Sequence, residues 1–438
     1  MEKKRVRPCC NRGCGFCNRL PYNQKQHKMG LEHKLFHGKT LAILSGGGDT
    51  PAINSSIECV RNRASVLGYK VYGIKQGWKG LLGDGQVVDL TCQPYNGLYG
   101  GTALRSSRTN PFSSKEGEDR VAQILKNLER YKIDVLVTIG GDDTNGAAKK
   151  LYEQEGIPVI GFPKTIDNDL RTRTMHRYNG QDIEAVICPG FPSAARTVAR
   201  LTSMLRTTTE SHQRVMVMEV MGRDAGWLTA TAVYGGADMV LIPECPMTAE
   251  RKEFFFERVK EQYMRNRNRC LIIAVSEGVR WYDEATGKTD VVYASAETDE
   301  YGHARLGGVS GVVAGEITRR LGLDARAQVS GYFARSGECR EYDRRLTSTL
   351  ADKVADLLLR KAYGQMPVLN QVVRYNELEE FNTSSIDMGS IGNIPLPDAY
   401  YDRNIFNVTE AYRDFLSYVM EPIPQWRFDS DFPVVVRG

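Results

Sequence analysis

Residues 133–147 read IDVLVTIGGDDTNGA. An apolar run ends in two glycines and leads into a stretch that suits a helix. A strand, glycine turn and helix start in that order gather backbone N–H groups and the positive end of a helix dipole around an anion. The same alternation recurs on both sides. Strands are expected at 39–44, 69–74, 157–162, 214–220, 237–242 and 270–275, with helices from about 52 and about 116. Several of these strands are apolar at consecutive positions, as when helices cover both faces. The pattern predicts an α/β fold with mostly parallel sheets and a site at the carboxyl ends of the strands.

Composition narrows the class. The 438 residues are 41% hydrophobic and 25% charged, which suits a soluble globular chain of two or three domains. No apolar run approaches the ~20 residues of a membrane span, and no segment has the pattern of an export signal. The net charge of +5 is uneven: residues 1–39 hold ten Lys/Arg against Glu2 and Glu32, so the remainder is slightly acidic. That body gives no support to nucleic-acid binding. Six cysteines are scattered singly, as in a cytoplasmic protein with reduced thiols, while Cys9, Cys10, Cys14 and Cys17 crowd into CCNRGCGFC. Residues 1–37 are expected to be a basic, disordered extension. Two other readings stay open: a metal knuckle completed by His27 or His33, and a true start at Met29. SSIDMGSIGNIP (384–395) reads as an exposed loop, and the chain beyond about 420 as an extended tail.

Four loops after strands carry the chemistry. SGGGDTPAIN (45–54) allows close backbone approach to a ligand, with a helix starting near Pro51. GGDDTNGA (140–147) is the second. PKTIDND (163–169) sets Asp167 and Asp169 on one side if it is extended, beside Lys164. Paired carboxylates next to a lysine suit proton abstraction from a hydroxyl during phosphoryl transfer. In MGRDAGWL (221–228), Arg223 follows a strand and Asp224 is expected to cap the next helix. Further arginines in 100–110, 211–214 and 326–337 are candidate phosphate partners. Each loop alone also reads as an ordinary turn or cap; the conjunction points to phosphoryl transfer. There is no GxxxxGK[ST] loop, and the six histidines form no tight ligand cluster, so a magnesium ion carried by the phosphate substrate is expected.

In order and spacing, GGGDTPAIN, GGDDTNGA, PKTIDND, MGRDAGWL, SEGV (276–279) and GYFARSG (331–337) resemble the phosphofructokinase family over roughly residues 38–380. The resemblance implies two Rossmann-like α/β domains with the active site in the cleft between them. Residues 38–175 and about 330–380 would bind the phosphoryl donor, residues 176–329 the sugar phosphate, and 381–438 would form a C-terminal segment. It implies transfer to the 1-hydroxyl of fructose 6-phosphate, with Asp167 as general base, Thr165 and Asp169 beside it, and Asp169 helping to fix the base and the hydroxyl. Arg223 and Lys164 would serve the transferring phosphate. Met221, Gly222 and Glu277 would hold the sugar. Arg335, Arg214 and Arg326 would bind its 6-phosphate, the last two from a neighbouring subunit, so a homodimer or homotetramer is implied. Gly47, Arg108, Asp143 and Thr144 fall on the donor side, with Asp142 near Mg2+. Tyr332 replaces a histidine of the family's commoner pattern.

Asp143 is the informative departure. In the ATP-using branch its position resembles a glycine that leaves room for the α-phosphate. An aspartate there blocks and repels that group: two like charges at ~4 Å, at an effective dielectric near 20, repel by about 4 kcal/mol. Lys164 stands where the pyrophosphate-using branch also carries lysine. Together they imply pyrophosphate as donor and a reversible reaction in the cytoplasm. The alternatives are an ATP-dependent enzyme and a non-catalytic regulatory subunit that binds sugar phosphate.

Overall fold

The computed structural model describes residues 36–91, 95–113, 119–377 and 381–425. The cysteine cluster of the N-terminal extension and the tail from 426 onward lie outside the described residues.

Two sheets carry the molecule. The larger has seven strands, in spatial order Thr383–Asp387, Gln365–Leu369, Val159–Pro163, Val135–Gly140, Thr40–Ser45, Lys70–Ile74 and Val87–Asp89. Its five inner strands are parallel and its two edge strands antiparallel. The smaller has four parallel strands, Ala325–Val329, Val215–Val220, Leu271–Ser276 and Met239–Leu241. The consecutive apolar residues of the central strands are buried, as helices on both faces require.

The helices have local reasons to start and stop. Asp119 caps Arg120–Arg130 by accepting from the Ala122 N–H at 2.9 Å. Pro192 occupies the first turn of Phe191–Ser211. Asp142–Glu155 carries both aspartates in its first turn, at the positive end of its dipole, and stops at Gly156 with φ 68°. Helices Ile53–Val66 and Glu341–Arg360 pack against one another over the larger sheet.

Two expectations are corrected. Residues 384–395 are not an exposed loop: Thr383–Asp387 pairs with Gln365–Leu369, and Ile386, Met388 and Ile394 are buried. Ser and Gly dominate the stretch, yet its few apolar side chains close the free edge of the sheet. The C-terminal segment thus supplies the edge strand of the larger sheet. Helix Glu410–Val419 also buries Tyr412 and Phe415 against Trp227, which accounts for a large aromatic in MGRDAGW. Finally, Asp224 caps no helix; Gly226 occupies the cap position before Trp227–Ala230, and its N–H bonds the Glu244 carboxylate at 2.9 Å.

Candidate active site

The carboxyl ends of strands from both sheets meet at one cleft of about 160 Å³. Gly47 and Gly48 follow Thr40–Ser45. Gly141, Asp142, Asp143 and Thr144 follow Val135–Gly140, and Lys164, Thr165, Asp167 and Asp169 follow Val159–Pro163. Arg223 and Asp224 come from beyond Val215–Val220, and Arg335 from beyond Ala325–Val329. Arg108, Tyr301, His303 and Asn393 complete the lining with Thr50 and Ile166. Four cations and five carboxylates thus share a small volume.

The PKTIDND loop is not extended. Asn168 has φ 55°, so the expected alternation of Asp167 and Asp169 does not apply. The pair is brought together by hydrogen bonds instead. The Thr165 hydroxyl donates to Asp169 Oδ1 at 3.2 Å and accepts the Asp167 N–H at 3.0 Å. The buried Asn168 side chain donates to Val186 O at 2.6 Å, and its own carbonyl accepts from Cys188 N–H at 3.0 Å. Ile394 N–H binds Asp169 O at 2.7 Å, so the C-terminal segment braces the loop.

Burial dominates the electrostatics. It raises the Asp167 carboxyl, against the pull of Arg335, and Asp167 Oδ1 is buried with no hydrogen-bond partner. Burial and the neighbouring Asp167 charge push Asp169 up to about 7. Glu277 rises to about 7 for the same two reasons. Burial and then Arg335 lower Lys164 to about 7. Its ammonium donates to Gly46 O at 3.0 Å and Gly48 O at 2.6 Å. Burial and Asp142 raise Asp143, while His303 opposes the shift. Gly48 has a steric reason: a Cβ there would run into the Arg335 guanidinium.

Eleven of the residues singled out from sequence line the cleft: Gly47, Arg108, Asp142, Asp143, Thr144, Lys164, Thr165, Asp167, Asp169, Arg223 and Arg335. Glu277, Met221 and Gly222 sit behind it. Arg335 Nε approaches Met221 Sδ at 3.1 Å, and Gly222 has φ 150°. Arg214 and Arg326 are not in this chain's cleft. Both pair with Asp324, at 3.4 and 2.8 Å, at the opposite ends of the strands that carry Arg223 and Arg335. Tyr332 is 69% exposed and outside the lining.

The phosphofructokinase family matches residues 40–358. The chain belongs to the phosphofructokinase family. Among relatives, a pyrophosphate--fructose 6-phosphate 1-phosphotransferase of Dictyoglomus thermophilum is 36% identical over 372 residues, covering 84% of this chain and 98% of its own. An ATP-dependent 6-phosphofructokinase of Chloroflexus aggregans is 36% identical over 337 residues, 75% of this chain and 86% of its own. A solved pyrophosphate-dependent phosphofructokinase of Marinobacter aquaeolei superposes with a TM-score of 0.67 at 23% identity, over 90% of this chain and 95% of its own; it shows the shared fold. Five relatives named pyrophosphate--fructose 6-phosphate 1-phosphotransferase stand at 36–37% identity and three named ATP-dependent 6-phosphofructokinase at 33–36%, so within the phosphofructokinase family the similarity leans to the pyrophosphate-dependent branch.

Sequence reading passed over Tyr301, His303 and Asn393. His303 lies in the turn of a hairpin and faces Asp143 across 160 positions of sequence, and no local pattern marks it. Asn393 sits in the stretch read as a loop; its register beside Leu170 places it.

Proposed function

We propose that the protein transfers a phosphoryl group from pyrophosphate to the 1-hydroxyl of fructose 6-phosphate, reversibly, giving fructose 1,6-bisphosphate and phosphate. The observation that carries this reading is the Asp143 carboxylate in the first helical turn at the cleft, with buried Lys164 across from it. An acid there disfavours the α-phosphate of a nucleotide, and the lysine adds charge for a short diphosphate.

Asp167 is the base in this reading: it takes the proton of the 1-hydroxyl. The new O–P bond forms as the bridging P–O bond of pyrophosphate breaks, and phosphate leaves. A buried carboxylate with an unpartnered oxygen is suited to accept a proton. Thr165 and Asp169 hold the loop, Arg223 offsets charge on the transferring group, and Arg108, Gly47 and Thr144 face the donor. Met221, Gly222 and Glu277 hold the sugar, and Arg335 with Tyr332 its phosphate. Arg214 and Arg326 would reach a neighbouring subunit's cleft, so the working unit is at least a homodimer. Asp142 offers hard oxygen at the cleft and fits a magnesium ion brought by the phosphates, which would offset their charge.

The test is initial rate with fructose 6-phosphate and magnesium, offering pyrophosphate or ATP as sole donor. Turnover with pyrophosphate is expected. Turnover with ATP alone overturns the donor reading and leaves the Asp167 chemistry standing; turnover with neither points to a regulatory subunit.

A further inference from the structure

Asp143 poses a physical problem. It stands beside Asp142 in a cleft that must receive a polyanion, and burial already penalises its charge. The turn Asp299–His303, reading DEYGH, meets that problem from the other side of the cleft. It joins strands Tyr293–Thr298 and Ala304–Leu306, which pair with each other outside both large sheets.

The turn is strapped to the segment that carries Arg108. Asp299 accepts from Arg108 Nη1 at 2.7 Å, and Glu300 from Arg120 Nη1 at 2.6 Å and from the Asn110 N–H at 3.0 Å. The Tyr301 hydroxyl donates to Thr109 O at 3.1 Å. Inside the turn, Asp299 Oδ1 accepts the N–H groups of Tyr301 and His303, each at 3.0 Å. So held, the ring brings His303 Nε2 to 3.2 Å from Asp143 Oδ2. Facing a carboxylate, that nitrogen is the donor. Tyr301 and His303 both line the cleft.

We propose that His303 is a donor-positioning residue: it holds the Asp143 carboxylate toward the strap, so a diphosphate binds beside an acid that still bars a longer polyphosphate. This rests on the pyrophosphate reading above. The hydrogen bond engages an Oδ2 lone pair and draws carboxylate charge toward the strap. Asp299 does the converse for Arg108, holding a cation at the cleft mouth. The strap thus sets both signs of charge at the donor end.

A double-mutant cycle tests it, with kcat and KM measured for pyrophosphate and for fructose 6-phosphate. His303→Ala is expected to raise KM for pyrophosphate about tenfold, with KM for the sugar phosphate changed less than about twofold. His303→Gln, which can place an amide N–H near the position of Nε2, should recover most of the loss. In an Asp143→Gly background, His303→Ala should have almost no effect, because the group it serves is gone. Should His303→Ala fold poorly, His303→Asn, too short to reach Asp143, carries the same expectation. Equal losses in both backgrounds, an unchanged pyrophosphate KM, or parallel rises for both substrates overturn the positioning role. A wild-type protein that uses pyrophosphate while the cycle is additive overturns this inference alone. One that uses only ATP overturns the donor reading and this inference with it.

Discussion

The two walls of the cleft are built on opposite principles. The inner wall, residues 164–169, is the more buried: Lys164 is 3% exposed and Asn168 0%, with Thr165, Asp167 and Asp169 half-buried at the cleft surface between them. Asp167 keeps one oxygen without a partner, Asp169 accepts from the Thr165 hydroxyl, and burial shifts the proton affinity of both upward. The outer wall, residues 299–303, lies nearer to solvent, and its acids are paired, Asp299 with Arg108 and Glu300 with Arg120, while His303 hydrogen-bonds Asp143. The difference teaches how one cleft holds acids for two purposes. In the proposed reaction the carboxylate that takes the proton, Asp167, is raised by burial and keeps an unpartnered oxygen. Asp143, also raised by burial and by Asp142, is given a hydrogen-bond donor nearer to water.

The largest effect is expected at the inner wall. Asp167→Asn should lower kcat by about 10³-fold, within the range for general bases, with KM for fructose 6-phosphate nearly unchanged. Steady-state kinetics on the purified variant check this; activity within tenfold of wild type would remove Asp167 as base.

Next in size is the brace behind that wall. Trp227 is fully buried against Tyr400, Tyr412 and Phe415, and its indole N–H reaches Ile394 O at 3.2 Å. Ile394 in turn holds the backbone of Asp169. Trp227→Ala should cost about 3–5 kcal/mol in denaturant unfolding. The folded fraction should also lose turnover, because the Asp169 loop is then unsupported. Loss of stability with full activity in the folded fraction would cut that link.

The gentlest effect sharpens the contrast through pH. Burial lowers Lys164 to about 7, so in the free protein its positive charge is present below that pH and is lost as pH rises through it. Asp167 is raised, so its basic form is lost as pH falls. The profile of kcat/KM for pyrophosphate, which reports the free enzyme, should therefore fall on both sides. A profile that stays flat on the alkaline side would take Lys164 out of donor binding.

Much of the site was legible because it is written in short segments. Each loop follows a strand, and a parallel sheet sends all such loops to one end. Gly47, Asp142, Asp143, Lys164, Thr165, Asp167, Asp169 and Arg223 could thus be read from strand ends alone. Arg108 and Arg335 came from the family resemblance. Two local inferences failed where the backbone departs from regular geometry: the left-handed Asn168 breaks the alternation in PKTIDND, and Gly226 takes the cap from Asp224. The strand at 383–387 escaped notice because an edge strand of Ser and Thr needs only one apolar face, and five residues are too few to show it.

The amino-acid order determined the α/β class, the run of parallel strands, the family and the residues that form the inner wall. Periodicity, glycine turns and motif spacing are properties of neighbours along the chain, and neighbours are visible in a sequence. Tertiary structure alone decided which charges are answered. His303 meets Asp143 from 160 positions away, Arg214 and Arg326 turn to Asp324 at the far ends of their strands, and residues 391–396 come to rest behind Asp169. Such contacts depend on how hairpins and sheets pack in space, and that packing leaves no periodic trace in the residues it joins.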